Sequence, residues 1–299
     1  MVDFELLYKN IYEISNPELV KIKNNNKKLR FKKLGLPAIV FFILLYIWSK
    51  TQLYILFLLI APVFFYLFIT IISVLASQSS KIEEVFNEKV IPQLVSGYDV
   101  NLKYKSSIGL EEKVYVDGFW ENYDEYRSND MISGEKNGYS VDMARVDTIV
   151  NIRNSDGEEK HRKIFGGTAA VTSIHKNLKG ITRISSDKGA LSKIFDDSQR
   201  IEMDSSEFEQ YFDVYSDNKI ETMQILTSDF MEIMIEYVRK TGINLEMTLL
   251  DNKFYIRFTK YLFNFMDLDH DKLKDSFETI DSMYKVMFDL LNIIEKIEL

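Results

Sequence analysis

The sequence predicts an α+β protein, a two-helix transmembrane hairpin followed by a mixed, mainly antiparallel strand domain with a C-terminal helix. Three observations lead there. Leu34 to Ala76 is almost unbroken hydrocarbon, its one charge being Lys50. After Ser96 the chain changes to short alternating apolar runs punctuated by Asn-Gly and Asp-Gly, the signature of paired strands. Two later segments, one closing at Gly242 and one running from Lys272 to Ile297, repeat apolar residues at helical spacing instead. Strands grouped together with helices set apart indicate α+β rather than an alternating parallel sheet.

Composition narrows the function classes. The 299-residue chain is 46% hydrophobic and 27% charged, with a net charge of −8 and no cysteine. That length accommodates one sizeable core beside a membrane segment. The lack of cysteine excludes disulfides, Cys-ligated zinc, iron–sulfur clusters and thiol nucleophiles. Nucleic acid is excluded as the main partner, because phosphate binding needs a concentrated basic face. A chain rich in Lys, Asn and Ile with 4 prolines fits the coding bias of AT-rich bacterial genomes.

Residues 1–33 are expected to form a cytosolic N-terminal helical segment. Phe4, Leu7, Ile11, Tyr12 and Ile14 make a short apolar face before Pro17. Asp3, Glu5 and Glu13 suit it poorly to a lipid surface, so packing against the helix after the second span is expected. The hairpin occupies 34–76. A helix crossing a core ~30 Å thick needs ~20 apolar residues, so the run suits two spans, Leu34 to Ser49 and Leu53 to Ala76, with Ser49 to Gln52 as the tip. Tyr46, Trp48 and Tyr54 flank that tip at headgroup level. Pro37 sits near the start of the first span, and Pro62 should kink the second. A cleaved signal peptide would place its apolar run much nearer the N-terminus, so the hairpin is expected to stay. Lys21, Lys23, Lys27, Lys28, Arg30, Lys32 and Lys33 before the first span, against Lys50 at the tip, predict that both termini are cytoplasmic.

A juxtamembrane helix is predicted over 77–97, with Ile82, Val85, Phe86, Val90, Ile91, Leu94 and Val95 in one stripe and Ser80 with Glu83 as a capping pair. The cytosolic α+β domain is 98–299. Asn137-Gly138 marks one hairpin, and Ser155-Asp156-Gly157 marks a second. "TAAVTSI" and "GITRIS", separated by a turn with Asn177 and Gly180, extend these as a meander. "LTSDFMEIMIEYVRKTG" is a helix capped by Thr227 or Ser228 and stopped at Gly242. "INLEMTLLDNKFYIRF" alternates around an Asp251-Asn252 turn. The last helix is expected to bury Leu273, Phe277, Ile280, Tyr284, Met287, Leu291 and Ile294. Seven strand-like stretches ending in a helix make the domain pleckstrin-homology-like by analogy, which carries no function.

"YRSNDMISGEKNGYSVDMARV", "IFGGTAAVTSIHKNLKG", "EFEQYFDVYSDNKIETMQILTSDFMEIM" and "DNKFYIRF", behind a double-spanning hairpin, resemble the bacterial membrane proteins grouped as domain of unknown function 3137. The resemblance runs from about Glu83 to the C-terminus. It implies a membrane-tethered cytosolic module and assigns no functional residue.

Candidate chemistry is sparse. Asp267, Asp269, Asp271, Asp275 and Glu278 fall on positions 1, 3, 5, 9 and 12 of an EF-hand calcium loop, but Lys272 stands where the loop needs glycine. An acidic first turn of the last helix explains the same residues. "FGGTAAVTS" lacks the Gly-Lys-Ser/Thr ending of a phosphate loop, so Gly166 and Gly167 are expected at a bulge or close backbone contact. His161, His175 and His270 have no metalloprotease or triad spacing, and no serine sits in a nucleophile elbow. Lys160, His161, Arg162 and Lys163, extended by Lys176 and Lys179, form a small basic patch suited to an anionic leaflet. No catalytic, cofactor or metal residue is assigned. The expectation is a non-catalytic binding or scaffold module of a bacterial inner (plasma) membrane. Its partners would be the lipid bilayer and another protein. The alternative is a lipid-headgroup or ion-responsive membrane-surface domain.

Overall fold

The structure, a computed structural model, describes residues 4–51, 57–136, 138–153, 158–175, 177–187 and 199–261. The chain divides into two compact units, residues 1–93 and 94–299.

In the first unit helix α1 runs unbroken from Phe4 to Thr51 and packs along helix α2, Phe57–Val85. The Phe41 and Phe64 rings meet at 6.0 Å between them. Pro17 lies inside α1 and does not end it, contrary to the short N-terminal helix expected. An interior proline costs about 3 kcal/mol, and the stripe Ile11, Ser15 and Leu19, each 6% exposed or less, offsets that by burial. Val85, Phe86 and Val90 are buried in the same unit, and Lys89 pairs with Glu18 at 2.5 Å. The N-terminal segment therefore does pack against the chain after α2.

Ser49 to Thr51 continue α1 rather than forming a turn, with Ser49 Oγ donating to the Tyr46 carbonyl. Residues 52–56 lie outside the described residues. Among the described residues, Lys33–Lys50 is the one helical stretch long and apolar enough to cross a membrane, and Ile60–Ser73 is a shorter apolar one. Helix α2 carries on through Ser80 and Glu83, so these do not cap a new helix. It passes into a π-helical turn, Phe86–Val90, where the Ile91 N–H donates to the carbonyl of Phe86, five residues back. That widened turn comes just before Pro92, which has no N–H to give the ladder. Helix α3, Ile91–Tyr98, follows.

The second unit is built on one eight-stranded antiparallel sheet. Its strands are β1 (Lys103–Lys105), β2 (Glu125–Lys136), β3 (Tyr139–Arg153), β4 (Glu159–Ser173), β5 (Thr182–Ser185), β6 (Asp213–Ser216), β7 (Leu245–Leu250) and β8 (Lys253–Phe258), in the order β1-β2-β3-β4-β8-β7-β5-β6. Helices α4 (Glu112–Gly118), α5 (Ser206–Tyr211), α6 (Lys219–Ile225) and α7 (Ser228–Thr241) lie between strands in the chain. Gly138, at φ +85°, turns β2 into β3 as the Asn-Gly signal predicts. Helix α7 starts on the Thr227 side chain, which accepts from the Phe230 N–H, and stops at Gly242 in the left-handed conformation.

The meander holds only for β2, β3 and β4. The β4 to β5 connection is not a hairpin: β4 pairs with β8, and β5 lies between β7 and β6. Both faces of β7 and β8 are largely buried, so this hairpin needs a neighbour on each edge. Four of the predicted stretches merge pairwise into two 15-residue strands, β3 and β4. Strands β1 and β6 are additional, so the count behind the pleckstrin-homology analogy does not match. The predicted last helix lies outside the described residues.

Candidate functional site

Alternation along β4, β8, β7 and β5 sends two sets of side chains to opposite sheet faces. Ile184, Leu245, Met247, Leu249, Phe254, Ile256 and Phe258, at most 1% exposed, form the apolar face. The register places Arg183, Glu246, Thr248, Tyr255 and Arg257 on the other. Helix α4 and the segment after it cover this second face. Gly118 allows the approach, because a Cβ there would lie 2.5 Å from the Tyr255 ring, and its carbonyl accepts from Thr248 Oγ1 at 2.7 Å. Tyr115, Phe119, Phe165 and Tyr255 then pack in one buried cluster with Ala144, Val146 and Ala169.

Arg257 lies inside that aromatic shell. Its guanidinium carbon is 4.8 Å from the ring centres of Phe119 and Phe165. It donates to Glu246 Oε2 from Nε at 3.0 Å and Nη2 at 2.8 Å, and from Nη1 to Glu121 Oε1 at 3.2 Å and the Tyr115 hydroxyl at 2.5 Å. Glu121 also accepts from Thr148 Oγ1 at 2.6 Å and from Tyr115 at 3.1 Å. Burial disfavours the charge on Arg257, but Glu246, Tyr115 and Glu121 outweigh it and hold the group above its ordinary pKa. Burial also pushes the Tyr115 hydroxyl far up. Arg183, 3% exposed, lies 4.2 Å beneath the half-exposed ring of Trp120. Burial and the positive charge of Arg257 pull it down to about 10. Two guanidiniums face two carboxylates here, so the cluster is charge-balanced and holds α4 to the sheet.

A second cluster lies where the described chain ends. Tyr261 donates to Asp147 Oδ1 at 2.5 Å and accepts from Lys163 Nζ at 2.8 Å, while Lys163 pairs with Asp147 at 2.6 Å. The Arg145 guanidinium stacks 4.1 Å from the Tyr261 ring. The paired glycines make room for this return of the chain. A Cβ on Gly166 would meet the Tyr261 hydroxyl at 2.5 Å, and one on Gly167 the Phe258 carbonyl at 2.1 Å. The bulge expected there falls beside them, between Thr148 and Ile149 on β3, opposite Ile164.

The predicted basic patch is split by the strand. Lys163 belongs to the Tyr261 cluster, and His161 meets Asn151 at 2.6 Å and Glu125 at 3.6 Å. Lys160 and Arg162 point the other way and are exposed. The Lys179 N–H donates to Glu221. Lys176, His270 and the Asp267 to Glu278 loop lie outside the described residues. His175 packs on Tyr139, ring centres 4.5 Å apart. Among the described residues no three His, Asp or Glu side chains come together as metal ligands. Arg257, Arg183, Trp120 and Tyr115 were not singled out from sequence. The signal that marks the first is an arginine placed among aromatic and apolar residues in "KFYIRF".

Both clusters draw on the C-terminal half of the chain, and most of that half matches a family model. Residues 163–299 match DUF3137, a protein family of unknown function. The match begins at Lys163, not near Glu83 where the sequence resemblance starts. Within the DUF3137 region lie Lys163, Arg183, Glu246, Arg257 and Tyr261, whereas Tyr115, Trp120, Glu121 and Asp147 precede it. No curated protein matches the chain. Among solved structures, the crystal structure of the mycobacterial trehalose monomycolate transport factor A, TtfA, is similar at a TM-score of 0.31 and 8% identity, over 62% of this chain and 88% of that one.

Proposed function

We propose that the protein is a membrane-anchored, non-catalytic binding or scaffold module, with α1 and α2 as a transmembrane hairpin and the DUF3137 region in the cytoplasm of a bacterium. The observation that carries this reading is the surface of the two helices. The Lys33–Lys50 stretch has none of its residues buried. Phe42, Tyr46, Phe65 and Phe64 are 68%, 66%, 63% and 56% exposed, an apolar belt far larger than a protein in water leaves open. Hydrocarbon is the solvent that suits it. In sequence, Leu53 to Leu56 just before α2 are apolar as well, and the lysines before the first span orient the pair. The partner class is another protein at the membrane.

The test uses the cysteine-free chain. Single cysteines at Thr51 and at the exposed Ile220 are probed in intact bacteria with a membrane-impermeant thiol reagent. Labelling of the residue-51 variant alone is expected. Labelling of the residue-220 variant instead sinks the two-span topology. A second reading, a lipid-headgroup domain at the same surface, is favoured by the exposed Lys160 and Arg162 on β4.

A further inference from the structure

Strand β4 pairs with β8 only through Thr168–Ser173. Its first half and the last residues of β3 therefore project from the sheet as a two-stranded ribbon, residues 149–153 and 159–164. Directly opposed residues of an antiparallel pair share a face, and the two faces of this ribbon differ. On one, Arg153 opposes Glu159 and pairs with it at 2.8 Å, Asn151 opposes His161 and contacts it at 2.6 Å, and Lys163 pairs with Asp147. That face is internally neutralised. On the other, Val150 opposes Arg162 and Ile152 opposes Lys160. Both apolar residues are partly exposed and both cations are exposed, and no acidic partner reaches either cation among the described residues. Asp124, just before β2, accepts from the Asn151 N–H at 2.6 Å at the ribbon's edge. Ile164, the residue of the bulge, is 40% exposed at the base.

From this asymmetry we infer that the Val150, Ile152, Lys160 and Arg162 face docks on the anionic lipid headgroups of the cytoplasmic leaflet of the membrane that holds the anchor. This rests on the membrane-anchored reading above. The chemistry favours a lipid surface over a protein groove. Its β-branched side chains suit the shallow interface while its long cationic side chains extend into phosphates. Its charge is complementary to an anionic leaflet even though the chain carries −8 overall, because charges beyond ~8 Å are screened at physiological salt. Two cations give weak attraction, on the order of fivefold per charge. Weak attraction suffices in a tethered domain, since the anchor already fixes a high local concentration of headgroups.

The full chain carries an environment-sensitive fluorophore on Ile164→Cys and is reconstituted into phosphatidylcholine vesicles with or without phosphatidylglycerol. A blue shift that appears only with phosphatidylglycerol, fades with added salt and weakens about 30-fold in Lys160→Gln/Arg162→Gln is the expected result. The same spectrum in both lipids overturns the inference. So does a shift that needs an added acidic peptide, which assigns the face to a protein. Alkaline extraction of the same vesicles reports the anchor separately, because a protein that stays inserted while its probe ignores lipid charge leaves the anchor reading intact. If the chain is extracted, the anchor reading fails, and co-sedimentation of the released chain with phosphatidylglycerol vesicles, lost in the double variant, still decides the face.

Discussion

Arg257 donates two hydrogen bonds to a single carboxylate oxygen of Glu246, from Nε at 3.0 Å and from Nη2 at 2.8 Å. The pair joins neighbouring strands β7 and β8, and through Glu121 and Tyr115 it also ties the sheet to α4 and the chain after it. Removing one partner of a buried ion pair leaves the other charge uncompensated at about 3–5 kcal/mol. Arg257→Met should therefore lose stability on that scale in urea denaturation of the purified chain, whereas Arg257→Met with Glu121→Met, which keeps Glu246 to balance Arg183, should recover much of it. A double variant no better than the single one contradicts this account.

Gly167→Ala should be costly for a steric reason. Its Cβ would lie 2.1 Å from the Phe258 carbonyl, a backbone atom fixed by the β4–β8 ladder. Overpacking of this kind costs about 1–3 kcal/mol. A denaturation midpoint equal to the parent's would show that the strands separate freely there.

Asp147 gives the protein an acid-sensitive contact. Burial opposes its charge, but the hydrogen bonds from Lys163 and Tyr261 and the charges of Lys163 and Arg145 outweigh that and hold the carboxyl below its ordinary range. A depressed folded pKa contributes stability that is present above the unfolded value near ~3.9 and is lost as pH falls through the folded one. Tyr261→Phe should cost about 1–2 kcal/mol at neutral pH. The gap from the parent should narrow in strong acid, and a gap independent of pH argues against the hydrogen bond.

Asp142 behaves in the opposite sense. Burial and the charge of Glu111 raise its carboxyl above the ordinary range, so the folded state binds its proton more tightly than the unfolded state and is disfavoured once the pH exceeds both values. Asp142→Asn should raise the melting temperature at neutral pH, and the advantage should vanish as the pH falls through the folded pKa. Thermal melts across that range measure it, and a destabilised variant at neutral pH would mean that the carboxylate has a partner.

The sequence by itself determined the parts governed by local rules. Apolar length marked α1 and α2, alternation with Asn137-Gly138 and Asp251-Asn252 marked two hairpins, and Thr227 with Gly242 bounded α7, because capping, turn chemistry and side-chain period act over a few residues. Only the tertiary structure decided the rest. Pro17 continues α1 because Ile11, Ser15 and Leu19 are buried there, a gain that no local rule contains. Strands β7 and β8 insert between β4 and β5 because a hairpin buried on both faces needs neighbours on both edges, and those come from distant sequence. The Arg257 cluster joins Tyr115 and Glu121 to residues more than 120 positions away, and the Gly166-Gly167 pair is read correctly only once Tyr261 and Phe258 are seen against it. Ion pairs and close approaches of this kind depend on which surfaces meet, and pairing across such distances leaves no period in the chain.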